Sequence, residues 1–213
     1  STALDGLVFG GSDRLMADVN GDGLTDIVIR KDDVKVKINN GDGTYQALET
    51  WITQTELDSI SIYGNYKLMD INSDGLADLV AEFEGSGNTF QGLYVFYSDG
   101  QDFGTAQEWL APTGQATAFA ALGYSDFNGD GMLDLYEVFT PNKINIALNH
   151  QNSTHTWLNS SLLGDWTFQT RMIDINNDGL ADIVQDKGFP SVFTTRVGYN
   201  TGDGATYTDL TSI

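Results

Sequence analysis

The hydrophobic pattern of the chain consists of short apolar runs separated by turns rich in glycine, asparagine and aspartate. Some runs alternate in character, as in 34–38 (Val-Lys-Val-Lys-Ile) and 144–148 (Ile-Asn-Ile-Ala-Leu), and others are short and β-branched, as in 27–29 (Ile-Val-Ile). A period of two over about four to eight residues is that of a strand with one buried face. The pattern therefore predicts an all-β protein.

The predicted strands fall into four similar sets. In each set a first strand leads into an acidic loop, a short β-branched run, an alternating run, a turn and a final strand. The final strands of the first three sets contain Trp51, Trp109 and Trp157, and Asp209 stands at the equivalent place in the fourth. Four strands per set, repeated in tandem, predict the four-stranded blades of a β-propeller. We expect a single domain over 1–213 whose repeats lie at approximately 1–57, 58–114, 115–162 and 163–213.

A nine-residue acidic motif, D-x-N-x-D-G-x-x-D, lies between the first and second strands of every set. The four copies begin at Asp18, Asp70, Asp126 and Asp174, so that successive copies start 52, 56 and 48 residues apart. Oxygens at positions 1, 3 and 5 of a tightly curled loop can converge on one hard cation, and glycine at position 6 permits the reversal of the chain. A backbone carbonyl at position 7 and the aspartate at position 9 would complete the all-oxygen shell that calcium prefers.

The motif predicts one calcium site in each repeat, about four ions in total. The predicted metal ligands are Asp18, Asn20, Asp22, Leu24 and Asp26; Asp70, Asn72, Asp74, Leu76 and Asp78; Asp126, Asn128, Asp130, Met132 and Asp134; and Asp174, Asn176, Asp178, Leu180 and Asp182. The alternative is that Asp-Gly and Asn-Gly serve only as turn formers, and four complete copies argue against it.

An EF-hand needs a carboxylate at position 12 and flanking helices, whereas position 12 is Ile29, Ala81, Glu137 and Gln185. An EF-hand is therefore excluded.

The motif follows an inner strand such as 67–69 and is followed by a segment of the type Asp-Leu/Ile-Val. In this arrangement it resembles the FG-GAP/VCBS repeat. That family builds the calcium-bearing propeller blades of integrin α chains, certain fungal lectins and many large bacterial surface and secreted proteins. The resemblance implies structural calcium on the rim opposite the ligand face, and a location outside the cell, secreted or on its surface. Family propellers usually have seven or eight blades, whereas this chain has four motifs. A compact four-bladed propeller, half of a larger ring, and an open array completed by self-association are the alternatives.

The composition narrows the range of partners. The 213 residues include 30 acidic and 10 basic side chains, a formal net charge of -20, and no cysteine. Twelve of the acidic side chains lie in the four motifs, and four calcium ions would bring the formal charge to -12. A charge of this sign is repelled by nucleic acid and by anionic membranes. No apolar run approaches the ~20 residues that a membrane span needs, so we expect neither nucleic-acid binding nor membrane insertion.

The four tryptophans are the ligand-binding candidates outside the motifs. Trp51, Trp109 and Trp157 occupy equivalent places, where they would either pack between blades or present indole faces to sugars. Trp166 has no counterpart in the other repeats, which makes it the better single candidate for a ligand site. The polar linkers between blades, such as 54–58, are expected on the ligand face.

These features predict a calcium-stabilised, non-catalytic extracellular binding module that resembles a lectin in recognising glycans. No nucleophile–base motif is present, so we expect no enzymatic activity and no catalytic residues. The alternatives are a protein-binding or scaffold segment of a larger secreted adhesin or toxin, and an auxiliary module of a polysaccharide-degrading enzyme.

Overall fold

The computed structural model describes residues 13–60, 64–85, 89–110, 122–139, 143–149, 155–160, 170–188, 193–202 and 211–212. The first two repeats contain strands β1 (Asp13–Ala17), β2 (Asp26–Arg30), β3 (Val34–Lys37), β4 (Glu49–Ile52), β5 (Gly64–Met69), β6 (Asp78–Gly85), β7 (Thr89–Phe96) and β8 (Gln107–Leu110). The last two contain β9 (Leu122–Ser125), β10 (Asp134–Phe139), β11 (Lys143–Asn149), β12 (His155–Ser160), β13 (Thr170–Ile173), β14 (Asp182–Gly188), β15 (Phe193–Gly198) and β16 (Thr211–Ser212).

The strands form four four-stranded sheets, and neighbours along the chain are neighbours in each sheet. Every described pairing is antiparallel. Each acidic motif connects the first strand of its sheet to the second, and position 9 of the motif is the first residue of that second strand. The predicted all-β class, with four blade-like sheets and the acidic loop between strands one and two, is confirmed.

The chain divides into two compact units, Ser1–Ala116 and Thr117–Ile213. The first contains repeats 1 and 2 and the second contains repeats 3 and 4, so the division lies close to the predicted repeat boundary at 114/115. The single domain over 1–213 remains a prediction, and the two units are described separately below.

In the first unit, one apolar core is shared by repeats 1 and 2. Val28 and Val34 of the first sheet and Leu79 of the second are buried in the same cluster. Trp51 of β4 meets Phe103, which follows β7, edge to face with ring centroids 5.0 Å apart. Aromatic pairs in this geometry contribute about 0.5–1.5 kcal/mol beyond the area they bury. The pair therefore joins the two repeats as well as filling their core.

A short helix, α1 (Gln54–Ser59), lies between repeats 1 and 2, where the sequence pattern predicted a polar linker. Thr53 caps its first turn: the backbone N–H of Glu56 donates to the threonine hydroxyl, and the Glu56 carboxylate accepts from the backbone N–H of Thr53. This reciprocal arrangement is a capping box. Leu57 on the helix is buried in the core of the unit, so the segment that links the two repeats is helical and docks its one apolar residue inward, which the sequence pattern did not predict.

The second unit has a smaller described core, formed by repeats 3 and 4. Phe127 and Ile146 of repeat 3 pack with Ile183 of repeat 4. Phe127 also contacts Tyr136 edge to face at 5.7 Å. Tyr136 in turn lies against Gly123 of the neighbouring strand, where a Cβ atom would come within 2.2 Å of the tyrosine ring. Glycine at 123 therefore makes room for the aromatic pair.

No helix among the described residues is long and apolar enough to cross a membrane.

Candidate metal loops

The aspartate at position 1 of each motif is the centre around which its loop curls. In loop 1, the Asp18 carboxylate accepts the backbone N–H groups of Gly21 and Gly23, both at 2.7 Å. Loop 3 repeats this arrangement with Asp126. In loops 2 and 4 the position-6 N–H again donates to the position-1 carboxylate, while the second donor is the N–H of position 5. All four loops are therefore folded around a carboxylate.

Positions 3 and 5 are paired within each loop. The Asn20 amide nitrogen donates to the Asp22 carboxylate at 2.9 Å, and the same bond occurs in the other three loops at 2.7–3.0 Å. The other carboxylate oxygen of position 5 accepts the N–H of position 7 at 2.8–2.9 Å. The oxygens of positions 1, 3 and 5 are thus held in one short loop.

Positions 4 and 6 provide the reversal of the chain. Position 6 is glycine in every loop and has φ between +80° and +90°. Position 4 is Gly21 and Gly129 in loops 1 and 3, but Ser73 and Asn177 in loops 2 and 4, and all four have positive φ. Serine and asparagine in this region carry a strain that glycine avoids. Loops 2 and 4 therefore differ from loops 1 and 3 at a position where glycine would be easier to accommodate.

The aspartate at position 9 is buried in every loop and ties three strands together. One oxygen of Asp134 accepts the N–H of Phe127 at 2.8 Å, and the other accepts that of Asn149 at 2.7 Å. Asp26, Asp78 and Asp182 make the equivalent pairs of bonds at 2.8–3.2 Å. Position 9, predicted only as a metal ligand, is therefore also the acceptor that closes its loop onto the end of the third strand.

A residue at or just after the end of the third strand is a member of the site that the sequence pattern missed. It is Asn39, Ser98, Asn149 and Asn200 in the four repeats, and its backbone N–H donates to the position-9 aspartate in each. Alignment of the ends of the four third strands would have found it, since an asparagine or serine follows an aliphatic or aromatic residue each time.

The loop carboxylates form no ion pair with a basic side chain among the described residues. Burial is the largest effect on position 9: it raises the pKa of Asp78 and Asp134 to about 7 and raises that of Asp26, while the backbone N–H donors act in the opposite direction. Repulsion from positions 1 and 5 of the same loop raises these pKa values further. The described ion pairs, Lys35–Asp33 and Lys67–Glu82, involve no loop carboxylate.

The donor set of each loop fits a hard cation in its chemistry. Its side-chain ligands are carboxylate and amide oxygens, and the mutual repulsion of its carboxylates is the interaction that a divalent ion would relieve. Among the described residues, no three Asp, Glu or His side chains are already assembled into a group that could hold a metal ion. The backbone N–H groups and the Asn–Asp pairs hold the ligand side chains inside the loop, so metal binding requires a local adjustment of these side chains.

The tryptophans divide into two groups. Trp51 and Trp109 are buried, so neither presents an indole face to solvent, and a sugar-stacking role does not fit these two. Their burial agrees with the alternative of packing between blades. Trp157 lies in β12, paired with Ala147 of β11; its side chain, and Trp166 as a whole, lie outside the described residues.

Comparison with known proteins places these loops in a wider group. The chain matches the FG-GAP-like repeat family over residues 18–81, 70–136 and 126–184. No curated protein matches it. Among solved structures, a chain of the Photorhabdus luminescens Tc holotoxin pore is similar to 99% of this chain, with 16% sequence identity and a TM-score of 0.64. This chain corresponds to 10% of the length of that chain, so the likeness is one of fold.

Proposed function

Because the chain belongs to the FG-GAP-like repeat family, we propose that it is a calcium-stabilised, non-catalytic binding module that works outside the cell. The observation that carries this proposal is the fourfold repetition of one loop geometry around acidic side chains for which the described residues provide no cationic partner. Loops that share a hydrogen-bond pattern but serve only as turns would have no need of three carboxylates each. Secretion or surface exposure fits an ion that is abundant outside the cell.

The proposed role of calcium is to stabilise the fold. If each loop binds calcium with a dissociation constant of ~0.1–1 mM, as extracellular modules do, an ion at 100 times that value contributes about 2.7 kcal/mol per site. We expect the melting temperature, followed by circular dichroism, to fall markedly when calcium is replaced by excess EDTA. In the double variant Asp22→Asn, Asp74→Asn, the difference in melting temperature between calcium and EDTA should be smaller. A melting curve that is the same in calcium and in EDTA would refute the proposal.

The proposed ligand class is a protein surface in a larger assembly, with glycan recognition as the second candidate. The burial of Trp51 and Trp109 removes two of the four proposed sugar platforms, which favours the scaffold alternative. The similarity to a chain of a holotoxin pore supports the same choice at the level of fold. A glycan array probed with and without calcium separates the candidates: calcium-dependent binding to one sugar class would favour the lectin-like role and count against the scaffold.

Self-association is proposed on the basis of an exposed apolar face of repeat 4, made of Ile173, Ile175 and Tyr199, which we call the trailing face. These side chains are 54%, 45% and 41% exposed. Val19 and Phe127, which occupy the same motif position as Ile175, are fully buried, and the backbone carbonyl of each accepts a hydrogen bond from the following repeat. The trailing face is thus an inter-repeat surface that carries exposed apolar groups.

The proposed occupant of the trailing face is repeat 1 of a second copy. In repeat 4, the Asn200 amide nitrogen donates to its own Ala181 carbonyl at 3.2 Å and to the Phe127 carbonyl of the preceding repeat at 2.8 Å. In repeat 1, the amide nitrogen of Asn39 makes the first of these bonds, to Thr25 at 3.0 Å, and no acceptor among the described residues takes its second hydrogen. Repeat 1 therefore carries the donor that the trailing face would accept.

Light scattering of the purified chain across a wide range of concentrations tests this arrangement. We expect a dimer that Ile173→Lys dissociates and that Gln101→Lys, at an exposed residue of repeat 2 outside both proposed surfaces, leaves intact. A chain that is monomeric at every concentration, or a dimer that resists Ile173→Lys, would refute it.

A further inference from the structure

Each unit contains two loops that are directly bonded to one another. In the first unit the Ala77 N–H of loop 2 donates to the Asp18 carbonyl of loop 1 at 2.8 Å. In the second unit the Ala181 N–H of loop 4 donates to the Asp126 carbonyl of loop 3 at 3.0 Å. The same contact, made by motif position 8 to motif position 1 of the preceding repeat, is thus formed twice and independently.

A second bond and an apolar contact reinforce the junction between loops 1 and 2 in the first unit. The Ser98 hydroxyl of repeat 2 donates to the Val19 carbonyl of loop 1 at 2.6 Å. The Leu76 side chain of loop 2 lies so close to Gly21 of loop 1 that a Cβ atom there would come within 2.8 Å of it. The second unit has both features as well: Asn200 is the donor, and a Cβ atom on Gly129 would lie 3.0 Å from the Leu180 side chain.

The chain itself distinguishes the two loops of a pair. Glycine is at position 4 only in loops 1 and 3, where the leucine of the next loop approaches; Ser73 and Asn177 hold that position in loops 2 and 4. Strain at the loop does not explain this alternation, because all four residues have positive φ, between 60° and 77°. The alternation follows from the space that the leucine of the following loop requires.

The hydrogen bond between positions 8 and 1 joins two residues that are directly connected to predicted calcium ligands. The N–H of Ala77 and the carbonyl of Leu76, the predicted ligand at position 7, belong to one peptide group. A cation on that carbonyl polarises the peptide and strengthens the hydrogen bond that its N–H makes. The acceptor of this bond is the backbone of Asp18, whose carboxylate is the centre of loop 1.

From this geometry we propose that calcium binding in loop 2 is coupled to that in loop 1, and calcium binding in loop 4 to that in loop 3, with Leu76 and Leu180 as positioning residues for the preceding loop. This inference rests on the proposed calcium binding and goes beyond it, because four independent sites would satisfy that proposal equally well. An ion in loop 2 fixes the Leu76–Ala77 peptide, which holds Asp18 in place before loop 1 is filled. Loop 1 then needs less ordering when it binds calcium, so the calcium affinity of loop 1 rises.

The test is a calcium titration of the full chain, stripped of metal and labelled with 15N-glycine, followed by NMR. The amide of Gly23 reports loop 1 and that of Gly75 reports loop 2, because each donates to the position-1 carboxylate of its own loop. Asp74→Asn disables loop 2. We expect it to raise the calcium midpoint of Gly23 by about two- to tenfold, the worth of one hydrogen bond.

Leu76→Ala tests the junction without removing a ligand, since the predicted ligand at this position is the backbone carbonyl. It should raise the Gly23 midpoint in the same direction as Asp74→Asn. The matched control is Leu24→Ala: Leu24 holds the same position in loop 1, but its side chain lies against Gly41 of its own repeat. This variant should leave the Gly75 midpoint unchanged.

A Gly23 midpoint that is the same in the unsubstituted chain, Asp74→Asn and Leu76→Ala would overturn the pairing while leaving calcium binding intact. If neither glycine moves in the unsubstituted chain at calcium concentrations up to ~10 mM, well above the range for extracellular modules, the proposed calcium binding itself fails.

Discussion

The replacement of Asp182 by asparagine separates the two roles of motif position 9. Asp182 is fully buried and accepts the N–H of Ile175 at 3.1 Å and that of Asn200 at 2.8 Å. An asparagine of nearly the same shape can accept only one of them and turns an N–H donor towards the other. Hydrogen bonds to a charged acceptor contribute about 1.5–3 kcal/mol, and a buried donor left unsatisfied costs about 1–3 kcal/mol. We therefore expect Asp182→Asn to lower the free energy of unfolding by about 2–4 kcal/mol.

The assay is urea denaturation followed by circular dichroism, at pH 8 and in excess EDTA, so that no metal contributes. The matched control is Asp178→Asn at exposed position 5, which keeps an oxygen for the N–H of Leu180 and should cost less than about 0.5 kcal/mol. In a unit of about a hundred residues, each kcal/mol corresponds to about 4–8 °C in melting temperature, so the two variants are readily distinguished. Equal stability of Asp182→Asn and Asp178→Asn in EDTA would refute the structural role of position 9 and leave it only as a ligand.

Three further substitutions test the packing. Gly123→Ala should destabilise by about 1–3 kcal/mol in urea denaturation, because its Cβ would lie 2.2 Å from the Tyr136 ring; Gly104→Ala, with only an ordinary contact at 3.5 Å, is the control, and equal stabilities would contradict the argument. Trp51→Ala should cost about 3–5 kcal/mol in the same measurement, as expected for a buried indole, whereas an exposed one would cost far less. Thr53→Ala should cost about 1 kcal/mol through loss of the helix cap, and Thr53→Ser should restore most of it; a silent Thr53→Ala would show that the cap is dispensable.

The repeat architecture could be predicted because its signals are local and occur four times. Alternation within runs, turns between them and a motif at a spacing of about fifty residues together determine four antiparallel sheets with the loop between strands one and two. The helix α1 was missed although Thr53 and Glu56 form a capping-box pattern. A helix of six residues has too few apolar positions for its periodicity to be visible, and the burial of Leu57 depends on tertiary packing.

The candidate site was only partly predictable. The spacing of the motif identified the acidic positions, but could not show that position 9 is engaged by backbone N–H groups, because one of the two donors lies 13 to 20 residues further along the chain. The contact between Leu76 and Gly21 joins residues of different repeats, so no single motif contains it. Aromatic residues at equivalent positions predicted two alternatives for Trp51 and Trp109, and only their burial distinguishes between them.

The alternation of residues at motif position 4 bears on how an array of this kind can lengthen. Copies of repeat 2 joined in tandem would place the serine of loop 2 where a leucine requires glycine, since Ser73 carries the Cβ atom that Gly21 lacks. Copies of repeat 1 would keep this junction complete, because Gly21 and Leu24 are inherited together. Repeat 1 is therefore a segment that gene duplication, or a protein engineer, can multiply without repairing the contact at position 4.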